Sequence, residues 1–565
     1  MKHFIHHPSS LLAKRTLAAA AVSIPLLLLV AGTPSCTSTP SAQEPTAQIY
    51  DGFGNYTRDI TTSSSQAQRW FNQGMQLMYG FNHDEAVRSF EMAAQLDPEA
   101  AMPWWGIAYC QGININDPAM SEERSLRARE AADTALALLD SESPVEQAMV
   151  RAVSARYEWP APEDRLPLDQ AYADAMQSVY TRFPNDPDVA TLYAESLMNL
   201  QAWDYWTSDG SPKGRITEVV TALEGVMDAY PEHPGANHFY IHAMEASDDP
   251  DRAVAAAERL TNIVPGSGHL VHMPSHIFIR VGRYPDAADS NRAAIAADQA
   301  YFAKAPAPGF YSIYYAHNIH FLAFAGMMSG DYATAISAAD QLEAEIPEEN
   351  LRELAWLIEG IMPTNLHVMI RFGKWEQILE QPDYPEWRLM SRATWAYARA
   401  IACSAMGRTE QARQEMAEFE RRVQQVPSDW MVFNNSVHDV LPIARAMMQG
   451  ELLFREGQHE EAFAILREGI EYEDKLVYDE PPAWMLPVRH TLGALLMADR
   501  QYAEAEMLYR EDLEHNRENG WALTGLRKAL LEQGKLAEVP DVNARLAKAF
   551  SQCDVTVTSS CYCAP

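Results

Sequence analysis

The feature that most constrains the fold of this 565-residue chain is a spacing of small, aromatic and proline residues between positions 70 and 98. Small side chains within this stretch allow two helices to approach closely, and its proline ends the second helix. A second tryptophan stands 34 residues after the first, which is one period of a helical-hairpin array. The spacing therefore predicts a repeat array rather than a single globular core. The residues are Trp70, Gly74, Ala86, Phe90, Ala93, Pro98 and Trp104.

These spacings resemble positions 4, 8, 20, 24, 27 and 32 of the tetratricopeptide-repeat (TPR) pattern. The resemblance covers about residues 66–545 and extends to exported bacterial TPR proteins of uncharacterised function. It implies an all-α solenoid of helical hairpins, a right-handed superhelix with a concave groove, and it says little about function. Weaker copies of the pattern are marked by Ala253 and Pro265, by Gly282, Tyr284 and Ala287, by Gly330, Tyr332 and Ala335, and by Gly493, Tyr502 and Ala505.

The charge balance restricts the partners of the chain. Its 44 basic and 77 acidic residues give a net charge of −33. Such a chain repels phosphate backbones and anionic lipid headgroups, so we expect no nucleic-acid partner and no membrane binding through surface charge. Six cysteines in this length exclude a scaffold built on disulfides.

The N-terminus has the pattern of a secretory signal. Lys2, Lys14 and Arg15 precede an apolar run over residues 17–32, which predicts a signal peptide at 1–36 and a linker at 37–65. Cys36 follows the run as in a bacterial lipoprotein signal, although Thr33 and Pro34 depart from that pattern. An uncleaved signal anchor is the alternative. In each case we expect an exported protein, periplasmic or a membrane-anchored lipoprotein, that meets the membrane only through its signal or lipid anchor.

Histidines are concentrated in the middle of the chain. Seven of the seventeen lie between positions 238 and 320, where uniform scatter would place about 2.5. His238 and His242 reappear 34 residues later as His272 and His276, in the same phase of the next repeat. The candidate residues occupy positions 2, 5 and 9 of the TPR pattern, which share one helical face, and this face lines the groove in TPR proteins. The predicted metal ligands are His238, His242, His269, His272, His276, His317 and His320, with His367 and Glu245 as peripheral candidates.

A cluster of imidazoles favours a transition metal, because all-histidine sites suit copper, zinc, iron or nickel rather than calcium or magnesium. The set exceeds one tetrahedral shell, so two ions, or one ion with additional orienting histidines, are expected. Facing H-x-x-x-H helices are similar, by analogy only, to those of dinuclear copper proteins. We therefore predict a multi-histidine metal site with copper favoured and zinc or iron as alternatives. A protein with such a site is a candidate metal-dependent oxidoreductase or hydrolase. The alternatives are a periplasmic TPR scaffold whose groove binds a peptide or protein partner, an anionic-ligand pocket, a pH switch, and a plain structural lining.

Predictions also follow for two further segments. The C-terminal tail, residues 546–565, contains Cys553, Cys561 and Cys563, which favour a disulfide, with binding of a soft metal as the alternative. The segment Tyr478–Trp484 reads as a proline-rich turn whose acidic residues are expected in a solvated loop. Asn237 and Asn318 are candidates for orienting the histidine rings.

Overall fold

A computed structural model describes residues 47–305 and 309–563, and helices dominate both ranges. The predicted signal peptide lies outside the described residues. The all-α, TPR-like class is confirmed. The described residues divide into two compact units, one running to Asp204 and including 301–305, the other comprising Tyr205–Ala300 and the residues from Gly309 onward.

The first unit consists of consecutive antiparallel helices, whose starts are fixed by side-chain caps. Ser64 accepts a hydrogen bond from the backbone N–H of Ala67, and Asn82 accepts one from Glu85, so each helix of the first hairpin begins at a polar cap. The helices are α1 (Ser65–Tyr79), α2 (His83–Leu96), α3 (Ala101–Gln111), α4 (Glu122–Ala137), α5 (Pro144–Ser154), α6 (Leu166–Arg182) and α7 (Pro187–Met198), with short 3-10 helices at Leu139–Ser141 and Asn199–Gln201.

The second unit repeats the same architecture over a longer stretch. Its helices are α8 (Ile216–Ala229), α9 (Pro234–Met244), α10 (Val254–Ile263), α11 (Gly268–His272), α12 (Pro274–Arg280), α13 (Tyr284–Phe302), α14 (Ser312–Ser329), α15 (Tyr332–Glu345), α16 (Glu348–Glu353), α17 (Ala355–Ile358), α18 (Thr364–Arg371), α19 (Trp375–Glu380), α20 (Leu389–Ala405), α21 (Thr409–Val423), α22 (Val437–Arg455), α23 (His459–Glu473), α24 (Val488–Ala498), α25 (Tyr502–His515), α26 (Gly520–Glu532) and α27 (Val539–Ala549). Short 3-10 helices lie at Pro250–Ala253 and Gly309–Tyr311, and a two-stranded antiparallel ribbon pairs β1 (Met431–Val432) with β2 (Asn435–Ser436).

The glycines of the repeat pattern are where neighbouring helices touch. A Cβ at Gly74 would lie 2.4 Å from Cε1 of Phe90, and a Cβ at Gly106 would lie 2.7 Å from the other edge of the same ring. Phe90 on α2 is therefore held between glycines of α1 and α3, and only a residue without a side chain fits at either position. The sequence spacing predicted this close approach.

The segment that precedes α1 is bound to the first unit. Arg58 is buried, and its Nη1 lies 2.6 Å from Oδ2 of Asp188 and 2.9 Å from Oδ1 of Asp186. Tyr56 donates its hydroxyl to Asp188 at 2.5 Å. Tyr56 and Arg58, from the predicted linker, are thus bonded to the start of α7 in the described structure.

The C-terminal tail, residues 550–563, lies along the helices of the second unit. Its Asp554 accepts hydrogen bonds from the backbone N–H groups of Tyr332 (2.7 Å) and Ala333 (3.0 Å), at the start of α15. Farther along, the carbonyl of Ser560 accepts from Arg371 of α18. The tail is therefore fixed to helices formed by residues more than 100 positions earlier. Within the described ranges, no helix combines the length and the apolar character that a membrane crossing requires.

Candidate metal centre

Four helices of the second unit, α9, α11, α12 and α14, carry the clustered histidines. His238 and His242 lie on α9, His269 on α11, and His317 on α14, while His272 and His276 stand on either side of the break between α11 and α12. Pro274 at the first turn of α12 produces this break because proline cannot continue the hydrogen-bond ladder of the preceding helix. The 34-residue phase places equivalent histidines on adjacent helices.

The first histidine group consists of His238, His242 and His269. One ring nitrogen from each of the three lies within 4.8 Å of the others, and all three residues are buried. Nε2 of His269 is 3.1 Å from Nε2 of His238, and the ring centroids of His238 and His242 are 4.9 Å apart. Imidazole nitrogens that share an ion with bonds of about 2.0–2.1 Å stand about 3 Å apart, so the Nε2 atoms of His238 and His269 have the spacing of two ligands of one ion.

The second histidine group consists of His272, His276 and His317. One ring nitrogen from each of these residues lies within 4.8 Å of the others, and His272 and His276 are buried while His317 is partly exposed. Nε2 of His272 lies 2.7 Å from Nε2 of His276, and the ring of His317 is 4.7 Å from that of His272. Each group therefore contains three imidazoles. Those of the first group come from α9 and α11, and those of the second from α11, α12 and α14.

The two histidine groups adjoin each other. The ring centroids of His242 and His276 are 5.9 Å apart, and those of His269 and His272 are 6.1 Å apart. Six imidazoles thus form one continuous cluster with two centres. Six imidazoles are more than the four positions of one tetrahedral shell.

The carboxylate of Glu245 connects the two groups. Its Oε1 lies 2.6 Å from Nδ1 of His242, and its Oε2 lies 2.6 Å from Nδ1 of His276. A carboxylate accepts hydrogen bonds, so each Nδ1 carries the proton and each Nε2 is turned toward the centre of its group. Glu245 therefore contacts the rings from behind, as an orienting carboxylate, while the Nε2 atoms face the site.

An amide orients a third ring. Oδ1 of Asn291 lies 2.7 Å from Nδ1 of His272, while the amide nitrogen of Asn291 donates to the carbonyl of Ala287 at 2.8 Å. This pairing leaves the lone pair of His272 on Nε2, facing His276. The amides expected to orient the rings are bonded elsewhere: Asn237 donates to backbone carbonyls, and Asn318 donates to Asp298. That prediction was wrong because sequence proximity to a histidine does not give the direction of the amide.

Burial and the neighbouring charges set the protonation of the rings. Burial and repulsion by the other imidazoles lower the pKa of His269, His272 and His317 well below the usual range. Burial also opposes a charge on His276, but Glu245 and Glu480 outweigh it and raise the pKa of His276. Most of the cluster is therefore neutral at neutral pH, which is the form of imidazole that binds metals.

The two acidic residues of the segment Tyr478–Trp484, Asp479 and Glu480, are buried rather than solvated, contrary to expectation. Oε2 of Glu480 lies 3.2 Å from Nδ1 of His276, and burial raises the pKa of Glu480 to about 8. Asp479 is held by the side chain of Asn435 at 2.6 Å. These acidic side chains therefore face groups of distant elements of the second unit, which sequence composition alone does not reveal.

Two of the predicted ligands lie outside both groups. The ring of His320 packs near Phe433, at 5.9 Å between centroids, and His367 meets Trp484 edge to face at 5.1 Å. Burial lowers the pKa of His320 to about 3 and that of His367 to about 4. These two histidines have aromatic surroundings and extend the cluster without joining either group.

Sequence analysis missed three residues at the site. Asn291 and Glu480 come from α13 and from a distant loop, and Phe321 packs its ring 5.1 Å from His272 and 5.2 Å from His276. Phe321 follows His317 by one helical turn, so helical periodicity could have placed it on the same face. No periodic pattern links Asn291 or Glu480 to the histidines.

Comparisons with known proteins leave the function open. No protein-family model matches the chain, and no curated protein matches it. Among solved structures, a human IFIT1 dimer with m7Gppp-AAAA shows 12% identity and a TM-score of 0.31 over 88% of this chain and 92% of that one. An APC/C hetero-tetramer, Cut9-Hcn1, shows 12% identity and a TM-score of 0.30 over 86% and 76%, respectively. The TPR domain of P58(IPK) shows 14% identity and a TM-score of 0.18 over 60% and 89%. Likenesses this distant carry no argument about ligands or activity.

Proposed function

We propose that this chain binds a pair of transition-metal ions, with copper favoured over zinc or iron, in the two adjoining histidine groups, and that it acts as a metal-dependent oxidoreductase. The observation that carries the proposal is the convergence of two sets of three ring nitrogens, each set within 4.8 Å. Six imidazoles in contact, five of them buried, have little packing value and a high desolvation cost, which ion binding would offset.

The residues that hold the rings also support metal binding. Glu245 places one proton on Nδ1 of His242 and another on Nδ1 of His276, and Asn291 does the same for His272. The Nε2 lone pairs of His242 and His272 are thereby directed into the groups before any ion arrives. His276, whose pKa is raised by Glu245 and Glu480 against the effect of burial, gives up its Nε2 proton when an ion binds. Copper or iron held there would supply one-electron redox chemistry and O₂ activation. Phe321 covers the second group with an aromatic ring and limits the access of water to it.

The test is the metal content of the full-length protein, purified without an affinity tag and reconstituted with copper, zinc or iron. We expect two equivalents of one transition metal per chain. Alanine at His238 in the first group, or at His317 in the second, should each remove about one equivalent, because each group loses one of its three nitrogen ligands.

His459→Ala provides the control. His459 pairs with Asp499 at 2.7 Å, far from the cluster in sequence, and is partly exposed. Its replacement should leave the metal content unchanged, as should alanine at His367. A wild-type protein that retains less than a tenth of an equivalent of every metal after reconstitution would contradict the proposal.

We further propose that residues 1–36 direct export and that the mature protein is periplasmic or lipid-anchored. The basic residues and the apolar run that follows them support this proposal. Fractionation of cells that express the full chain, with Cys36→Ala as the variant that removes the lipid-attachment residue, tests it. Recovery of both proteins in the cytoplasm would contradict export.

The alternative function is a scaffold for a peptide or protein partner, a role compatible with a TPR-like architecture. In the second unit, the tail already occupies surface on several helices, with Asp554 at α15 and Ser560 bonded to Arg371 of α18. The alternative predicts that alanine at both His272 and His276 abolishes partner capture and leaves the metal content at background.

A further inference from the structure

The C-terminal tail ends in a disulfide that joins Cys561 and Cys563. The disulfide lies against α22 and α24: Arg455 of α22 donates to the carbonyl of Cys563, and Thr491 of α24 donates to Sγ of Cys561 at 3.7 Å. Cys563 is buried and Cys561 is partly exposed, so Cys561 is the more accessible residue of the pair.

A carboxyl group faces this disulfide from the helix beneath it. Glu451 on α22 is 2% exposed, and one of its oxygens lies within 4.8 Å of both sulfur atoms. Neither oxygen has a hydrogen-bond partner among the described residues. A buried carboxyl that makes no hydrogen bond costs stability, and such groups mark positions used for something other than packing.

The charges around Glu451 keep it able to exchange a proton. Burial raises the pKa of Glu451 to about 8, and Arg455 one turn later on the same helix partly opposes this shift. From α20, the facing group is Tyr397, whose own pKa is raised well above its usual range by burial and by Glu451. The carboxyl is therefore protonated at neutral pH and close to its titration point, as a proton donor and acceptor requires.

We propose that the tail is a thiol–disulfide exchange site, in which Cys561 reacts with an external dithiol or disulfide and Glu451 transfers the proton. In the reducing direction, a thiolate of the external dithiol attacks Sγ of Cys561. The Cys561–Cys563 bond breaks, and Cys563 leaves as a thiolate that takes the proton of Glu451.

The second external thiol completes the exchange. It attacks the sulfur that the external dithiol contributes to the mixed disulfide, and this releases Cys561. Cys561 takes the proton of the second external thiol. The proton that the first external thiol lost passes to Glu451. Two electrons pass to the tail, and the external dithiol becomes a disulfide. The reverse sequence oxidises the tail with an external disulfide as the electron acceptor.

The test uses the oxidised full-length protein and dithiothreitol as the probe, followed by alkylation and mass measurement of the new thiols. We expect reduction of Cys561–Cys563 in the folded protein, with unchanged circular dichroism. Glu451→Gln should slow the reduction at least tenfold at pH 7 and remove the step in the pH–rate profile, because the amide cannot transfer a proton. Glu456→Gln is the control, since this residue lies just beyond the end of the same helix and is bound to Arg413.

A second pair of variants identifies the reacting sulfur. With oxidised glutathione, Cys563→Ser should form a mixed disulfide at Cys561, whereas Cys561→Ser should form little at Cys563, which is buried. A disulfide that resists dithiothreitol until the protein unfolds would overturn the proposal. Equal reduction rates in the wild type and Glu451→Gln would also overturn it.

Discussion

At the scale of single residues, the most informative side chain is Glu245. It receives one hydrogen bond from each histidine group, so a single carboxylate fixes rings on α9 and α12. Burial disfavours its charge, but His276 and His242 outweigh burial and lower the pKa of Glu245. The carboxylate is thus held ionised by the rings that it orients, and the two groups share one orienting residue.

Glu245→Gln should weaken metal binding while leaving the six imidazoles in place. A glutamine offers one oxygen and one NH₂ group, so only one of the two Nδ1–H groups keeps an acceptor, and the other ring changes tautomer or turns. Loss of such an orienting partner reduces metal affinity by about 10- to 100-fold, which competition with a calibrated chelator measures.

Glu258→Gln is the matched control, because Glu258 is an exposed carboxylate paired with Arg283. Its affinity should equal that of the wild type. Unchanged affinity in Glu245→Gln would show that the carboxylate does not orient the ligands.

The histidines of the site could be predicted from sequence, and their partners could not. His238 and His272 share a phase of the repeat, and a repeat places equal phases side by side. Asn291 reaches His272 from the second helix of its hairpin, and Glu480 reaches His276 from a loop about 200 residues away along the chain. Contacts of that kind depend on tertiary packing and leave no period in the sequence.

At the scale of helices, both units contain the same packing arrangement, an aromatic ring between two glycines. Phe90 lies between Gly74 and Gly106, and Tyr509 lies in the same way between Gly493 and Gly525, where added Cβ atoms would stand 2.5 and 2.1 Å from its ring. An aromatic side chain of the second helix of a hairpin thus fills the space left by glycines on the first helices of two successive hairpins. The repeat spacing encodes this device directly, which is why the fold was more predictable than the site.

Gly74→Ala should destabilise the protein although alanine is the better helix former. The new Cβ would lie 2.4 Å from Phe90, and that ring cannot withdraw because Gly106 confines its other edge. We expect a loss of about 1–3 kcal/mol in the free energy of unfolding, measured by urea denaturation. Gly225→Ala is the control, since a Cβ there meets nothing within 4 Å. It should be neutral or stabilising, by up to about 1 kcal/mol. A stabilising Gly74→Ala would contradict the packing argument.

At the scale of the whole molecule, the net charge of −33 and the buried acids act in the same direction. As pH rises, the repulsion between negative charges of the folded chain grows, and buried carboxyl groups lose their protons. Glu451 is the clearest case, because its folded pKa of about 8 lies above its ordinary value and no hydrogen bond compensates the charge.

Stability should therefore fall as pH rises. The unfolded chain releases the Glu451 proton near pH 4.5 and the folded chain only near pH 8, so the stability from the neutral carboxyl is complete below pH 4.5 and is lost through pH 8. At about 1.4 kcal/mol per pH unit, the loss is on the order of 3–5 kcal/mol. Glu451→Gln should flatten this part of the curve of unfolding free energy against pH, measured on the oxidised protein. An equally steep curve in the variant would contradict the assignment, and Glu456→Gln should keep the wild-type slope.

The contact between Asp554 and the start of α15 has a consequence for synthesis. The amide groups of Tyr332 and Ala333 receive their acceptor from a residue that the ribosome adds more than 200 positions later. Until translation is nearly complete, the helix end has no such partner, and the surface that the tail covers stays open. The second unit therefore reaches its final form only after residues 554 to 560 have been synthesised.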